Sequence, residues 1–157
     1  MIVSLAPHVN IDPARCPFRM VRSASFTILR AADAAFCKSG TTTLEAAVAG
    51  CPLVVAYRMN PLNYLVAKLL VDIANISLVN LIAGKAVVRE FIQDDLRPSA
   101  VADALEPLLD PSSAARREMV AALDRVRAAL GTRGAAARVA AMVTELAGER
   151  DRVRHVG

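Results

Sequence analysis

An uninterrupted apolar run at residues 52–57, Pro-Leu-Val-Val-Ala-Tyr, constrains the fold more than any other segment. A strand with one face in water alternates apolar and polar side chains, whereas this run has no polar position before its final tyrosine. Such runs are typical of parallel sheets, whose strands are covered by helices on both faces. The segment therefore predicts a parallel sheet with crossover connections between its strands.

The rest of the first half supplies those connections, because short apolar segments alternate there with segments of helical periodicity. One helical pattern ends at Gly50, a residue that commonly follows the last turn of a helix. The predicted strands are residues 2–5, 18–22, 34–37, 52–57 and 76–81, and the predicted helices are residues 23–32, 41–49, 60–71, 87–92, 98–109, 112–130 and 133–146. Ser23 or Ser25 is the expected N-cap of the first helix, and Ser112 that of the sixth. This order predicts an α/β fold: a Rossmann-like parallel sheet with flanking helices, followed by C-terminal helices.

Composition excludes several classes of protein. Hydrophobic residues make up 55% of the chain, which excludes intrinsic disorder. Aromatic residues make up only 4% and the arginines are scattered, so we expect no nucleic-acid partner. Three cysteines without a Cys-x-x-Cys pair, and isolated histidines at 8 and 155, predict neither a disulfide framework nor a metal site. Charged residues interrupt every long apolar stretch, so no membrane-spanning helix is predicted.

The most informative segment for function is residues 39–45, Ser-Gly-Thr-Thr-Thr-Leu-Glu, which lies between a predicted strand and a predicted helix. Gly40 allows the backbone to approach a ligand closely. The first amides of the helix are free donors at the positive end of the helix dipole, so they suit a phosphate or diphosphate. A well-capped helix without a ligand has the same pattern. The net charge of +4 is compatible with an anionic ligand or an anionic membrane surface.

Glu45 follows one helical turn after Thr41. One interpretation is a carboxylate exposed on the helix surface. The other is a carboxylate that accepts hydrogen bonds from the two hydroxyls of a ribose, as acidic residues do in dinucleotide-binding folds.

Five segments, taken together in their order and spacing, resemble the lipid A disaccharide synthase family. They are residues 31–34, 39–45, 50–58, 77–84 and 88–93. The resemblance implies an inverting, metal-independent glycosyltransferase of the two-domain GT-B type, with no cofactor. Such an enzyme transfers 2,3-diacylglucosamine from its UDP derivative to lipid X and forms the β-1,6-linked lipid A disaccharide. It is cytoplasmic and peripheral to the bacterial inner membrane.

The resemblance also assigns roles to the residues of the Ser-Gly-Thr segment. Ser39, Gly40 and Thr41 would border the UDP diphosphate, and Glu45 would hold the ribose. These are substrate-binding roles for UDP-2,3-diacylglucosamine, and no catalytic residue is expected in this chain.

Four further residues belong to the matching segments. Asn80 would face the nucleotide or the cleft, although an asparagine that caps the end of a strand fits equally well. Tyr57 and Arg58 end a strand at the same edge, where Arg58 would meet a phosphate or be solvated at the rim. Glu90 is expected on an exposed helix face.

The family's enzymes are longer than this chain, and their acceptor domain with its general base has no counterpart here. We therefore expect residues 1–110 to form a UDP-sugar-binding domain that is incomplete at its N-terminus. Residues 111–157 are expected to form helices that pack on this domain or on a partner. Expected partners are lipid X in the full enzyme, the missing N-terminal half or a second copy of the chain, and a membrane surface. Residues 61–71 fit either an interfacial helix or a core helix.

Two other functional classes share part of this pattern. Other GT-B transferases and UDP-GlcNAc epimerase-like proteins have the strand-Ser-Gly-helix-Glu order, but not Tyr57-Arg58 and residues 77–84 together. A non-catalytic nucleotide-binding or interaction fragment is the remaining alternative.

Overall fold

A computed structural model describes residues 1–60, 75–131 and 134–154. The helix predicted over residues 60–71 lies almost entirely outside the described residues. The strands are β1 (Ile2–Leu5), β2 (Arg19–Arg22), β3 (Ala35–Lys38), β4 (Leu53–Tyr57) and β5 (Glu90–Ile92). The helices are α1 (Ser25–Ala31), α2 (Thr41–Ala49), α3 (Leu78–Ala83), α4 (Pro98–Leu109), α5 (Ala114–Ala129) and α6 (Ala135–Arg154). Short 3-10 turns occupy Pro13–Arg15 and Gln93–Asp95.

The strands form parallel sheets, as predicted. β1 pairs with β2 in a two-stranded sheet, and β3, β4 and β5 form a three-stranded sheet with β4 at its centre. In this second sheet, Phe36 lies opposite Val54 and Val55 lies opposite Glu90. The α/β fold with parallel strands flanked by helices is confirmed.

The apolar run of β4 follows from its position between two helical layers. Leu53 and Val55 are at most 1% exposed and pack in one cluster with residues of α2, α3 and α5. Val54, which points to the opposite face, packs with Phe91 and with Leu108 of α4. Both faces of β4 are therefore buried, which explains why apolar and polar side chains do not alternate along the strand.

Two of the predicted elements are wrong in type. Residues 76–81 do not form a strand: Ser77 caps α3 by accepting a hydrogen bond from the Asn80 amide, and Gly84 ends the helix in the left-handed conformation. Residues 87–92 do not form a helix, because Glu90–Ile92 pairs with β4 as β5. Short apolar runs fit either a helix or a strand, and here a local cap decided one segment and long-range pairing the other.

The expected N-caps are also wrong. Ser23 lies in the turn before α1, with a φ of 56°, and Ser25 is the first residue of the helix. The N-cap position is therefore occupied by Ala24, which has no side-chain cap to offer. Ser113 precedes α5, and the Ser112 hydroxyl instead donates to the Asp110 carboxylate at 2.7 Å.

The C-terminal helices occupy the predicted regions. Leu123 and Val126 of α5 are buried in the cluster formed with α2 and α3. The division at residue 110 stays a prediction. Among the residues that the structure describes, no helix combines the length and apolarity needed to cross a membrane.

Candidate functional site

The candidate site is built at the carboxyl ends of β3 and β4, where the loop before α3 joins them. The Ser39 amide donates to the Ala56 carbonyl at 2.8 Å, which continues the β3–β4 pairing by one residue. The Ser39 hydroxyl donates to the Ile76 carbonyl at 3.2 Å. Ser39 therefore joins three segments of chain at one edge of the sheet.

Gly40 gives the turn after β3 its shape. Its φ of 145° and ψ of −164° lie in a region that is essentially limited to glycine. A Cβ at this position would meet no atom within 4 Å, so the requirement is conformational rather than steric. The turn is fixed from the helix side as well, because the amide and hydroxyl of the buried Thr43 both donate to the Gly40 carbonyl, at 3.1 and 2.8 Å.

This geometry presents the N-terminus of α2 to solvent at the end of β3. The first amides of a helix have no intrahelical acceptor, and Thr41 at the start of α2 is exposed. Two cations lie at the same edge: Lys38 is the last residue of β3 and Arg58 follows β4, and both are exposed. The Thr43 amide is bonded to the Gly40 carbonyl, which leaves the amides of Thr41 and Thr42 as donors. Backbone amides and exposed cations at one edge suit an oxyanion.

Glu45 lies on α2 and is half-buried. Its Oε2 accepts a hydrogen bond of 2.7 Å from the hydroxyl of Ser25, the first residue of α1. The carboxylate is thus held between two helices rather than lying free on a helix surface.

Asn80 lies within α3 and is 1% exposed, so it does not cap a strand end. Its Oδ1 accepts from the amides of Val87 and Val88 at 2.7 and 2.9 Å. Its Nδ2 donates to the Val88 carbonyl at 2.9 Å and to Glu90 Oε1 at 2.7 Å. A role in contacting the nucleotide stays a prediction; the structure shows Asn80 holding the segment between α3 and β5.

Glu90 lies in β5 and not on an exposed helix face. It is half-buried and accepts from the Ile76 amide at 2.8 Å and from the Ser77 amide at 2.9 Å, in addition to Asn80. Since the Ile76 carbonyl accepts from Ser39, Glu90 is connected through one residue to the turn of the candidate site. A carboxylate within an apolar strand-like segment was the available signal, because a buried charge requires donors.

Tyr57 ends β4 and is half-buried, and the next residue, Arg58, is exposed. The residue after it, Met59, is held by the Gln93 side chain, which accepts from the Met59 amide at 2.8 Å and donates to its carbonyl at 3.1 Å. Gln93 is in the left-handed region, with a φ of 50°. This clamp sets where the chain leaves β4, and the sequence carried no signal for it.

Known proteins that are similar in sequence identify the family of this chain. A family model for lipid-A-disaccharide synthetase matches residues 15–143 of the chain. This chain belongs to the lipid-A-disaccharide synthetase family. The matched stretch of the lipid-A-disaccharide synthetase family includes the Ser39 turn, Glu45, Arg58 and the Asn80–Glu90 network.

Individual relatives show the same relationship and define its extent. The lipid-A-disaccharide synthase of Anaeromyxobacter sp. strain K is 46% identical over 136 residues, which are 87% of this chain and 34% of the relative. That of Myxococcus xanthus is 36% identical over 153 residues, which are 93% of this chain and 40% of the relative. That of Syntrophotalea carbinolica is 35% identical over 139 residues, which are 88% of this chain and 35% of the relative. The chain thus spans between a third and two fifths of the length of these relatives.

Proposed function

We propose that this chain binds the UDP moiety of a sugar-nucleotide donor, as part of a lipid A disaccharide synthase. The observation that carries the proposal is the Ser39-Gly40-Thr41 turn, which presents the amides of α2 to solvent at the carboxyl end of β3. Ligands of open parallel sheets bind at this end of the strands. Membership of the lipid-A-disaccharide synthetase family supports a sugar nucleotide as the ligand.

In the proposed complex, the diphosphate lies against the first amides of α2, where the helix dipole favours negative charge. Arg58 contacts a phosphate from the adjacent strand end, and Tyr57 borders the nucleotide at the same edge. Asn80, which is buried in α3, contributes by holding the segment between α3 and β5. Glu45 accepts hydrogen bonds from the ribose hydroxyls with the lone pairs that Ser25 leaves unused.

The donor in this proposal is UDP-2,3-diacylglucosamine and the acceptor is lipid X. The product is the β-1,6-linked disaccharide, formed at the cytoplasmic face of the inner membrane without a metal or cofactor. The residues of this chain bind and orient the donor. The acceptor and the general base belong to the remaining two thirds of a full-length relative.

The test is calorimetric titration of the purified chain with UDP. We expect wild-type protein to bind UDP, and Glu45→Ala to weaken binding by at least about tenfold, since even a single hydrogen bond to a charged group contributes about 1.5–3 kcal/mol. Glu106→Ala, which removes an exposed carboxylate on α4, is the matched control and leaves the affinity unchanged. Folded wild-type protein that gives no heat with UDP contradicts the proposal.

A further inference from the structure

The hydrogen bond between Ser25 and Glu45 adds a residue to the proposed ribose site. Ser25 is the first residue of α1, and the residue before it, Ala24, provides no side-chain cap. The Ser25 hydroxyl does not bond within α1; it donates to Oε2 of Glu45, on α2, at 2.7 Å. Twenty positions separate these two residues in the chain, so the contact depends on the packing of α1 against α2.

The backbone before α1 supports this placement. Ser23 has a φ of 56°, a conformation that residues other than glycine adopt infrequently. This turn directs the chain from β2 into α1 so that Ser25 meets the second turn of α2. Both Ser25 and Glu45 are half-buried, so the bond is partly shielded from water while the carboxylate keeps access to solvent.

A serine hydroxyl has a single proton, and here that proton is donated to one carboxylate oxygen. Because Oε2 is held, the plane of the carboxylate is fixed and Oε1 has a defined direction. Two vicinal hydroxyls of a ribose demand such a defined plane, since both must donate to the same carboxylate.

We infer that Ser25 is a positioning residue that orients the Glu45 carboxylate for the ribose hydroxyls of the nucleotide. This inference rests on the proposed function. It predicts that Ser25 acts on ribose recognition and not on the diphosphate.

The experiment compares the affinities of UDP and 2′,3′-dideoxy-UDP for the full chain by calorimetry. We expect Ser25→Ala to weaken UDP binding by about three- to tenfold, which is the effect expected when one side chain is no longer held in place. The dideoxy ligand, which lacks both hydroxyls, is expected to bind equally to wild type and Ser25→Ala. Ser25→Thr keeps the hydroxyl and is expected to retain UDP affinity within about twofold of wild type.

Thr27→Ala, which removes an exposed hydroxyl from the same helix, is the matched control and leaves both affinities unchanged. If Ser25→Ala does not fold, Ser25→Cys replaces it, since a thiol is only a weak donor.

The outcomes separate the two proposals. Unchanged UDP affinity in Ser25→Ala, together with a loss in Glu45→Ala, overturns the inference and leaves the proposed function standing. An equal loss for UDP and the dideoxy ligand in Ser25→Ala also overturns the inference, because it indicates a general disturbance of the fold. Absence of UDP binding to wild-type protein overturns both.

Discussion

A primary amide offers two donors and two acceptor positions, and Asn80 uses all four inside the protein. The partners come from three residues that follow it in the chain: Val87, Val88 and Glu90. Asn80 thereby closes the loop between α3 and β5. It also donates a hydrogen bond to the half-buried carboxylate of Glu90.

We expect Asn80→Ala to destabilise the protein by about 2–4 kcal/mol, because two backbone amides, a carbonyl and the Glu90 carboxylate lose a partner at once. Urea denaturation measures this loss. Asn10→Ala is the control, since Asn10 is exposed and accepts one hydrogen bond from Arg22; it is expected to change stability by less than about 0.5 kcal/mol. A loss below about 1 kcal/mol for Asn80→Ala is incompatible with the role described for the network.

Two buried cysteines predict a loss of stability at alkaline pH. Burial, with a smaller contribution from Cys51, raises the pKa of the Cys37 thiol from 9.0 to about 12. Burial raises that of Cys51 to about 11, although Arg116 opposes this shift. Since the folded-state pKa is the higher one, the neutral thiols contribute fully below pH 9, and stability is lost as the pH rises from 9 towards 11 and 12.

Denaturation midpoints measured between pH 8 and 10.5 test this dependence. Over this range we expect the free energy of unfolding of Cys37→Ala to fall by about 1–2 kcal/mol less than that of wild type. The reason is that the substitution removes one thiol whose pKa is raised in the folded state. Cys16→Ala removes the half-buried thiol and is expected to follow the wild-type profile. Identical slopes in all three proteins exclude Cys37 as a cause of the alkaline loss.

At the scale of elements, the sequence determines best those segments whose ends carry local signals. α2 lies between two glycines with positive φ, and both the helix and its last residue are placed as predicted. The segment of α3 was predicted as a strand and that of β5 as a helix. Each is only a few residues long, so its apolar pattern fits either type. The pairing of β5 with β4, at positions 35 residues apart for Val55 and Glu90, is a tertiary contact that no local pattern contains.

The two glycines that bound α2 allow the turn geometry to be tested. Gly40→Ala and Gly50→Ala each introduce a methyl group that meets nothing within 4 Å, so each expected loss of about 1–3 kcal/mol comes from backbone strain alone. Only Gly40 borders the proposed diphosphate site. We therefore expect Gly40→Ala to weaken UDP binding by at least about tenfold, through displaced α2 amides, and Gly50→Ala to leave it unchanged.

Thermal unfolding and UDP titration of both variants, under conditions where each is folded, distinguish strain from ligand recognition. Equal UDP affinities in the two variants contradict a role for the Gly40 turn in binding the diphosphate.

For the molecule as a whole, the sequence predicted the turn of the candidate site better than the contacts that hold this turn. The Ser39-Gly40-Thr41 turn was identifiable because its residues are consecutive and follow a strand. Its supports were not identifiable, because Ser25, Ile76 and Glu90 approach it only in the folded chain. Similarly, the fold class followed from the apolar run of β4, but the two helical layers that cover its faces are visible only in the structure.

A protein of these 157 residues is expected to bind UDP without forming the disaccharide. In a two-domain transferase the acceptor is placed by the other domain, and correct placement of reactants supplies about 7–11 kcal/mol of a barrier reduction. In the proposed arrangement, a chain that spans 34% of a relative would supply only the donor side of such a cleft. The measurement is disaccharide formation from UDP-2,3-diacylglucosamine and lipid X. A full-length relative is the positive control, and UDP binding to this chain is measured in the same buffer. Disaccharide that forms with wild type but not with Glu45→Ala would show that this chain transfers the sugar unaided, and would place an acceptor site and a base among its own residues.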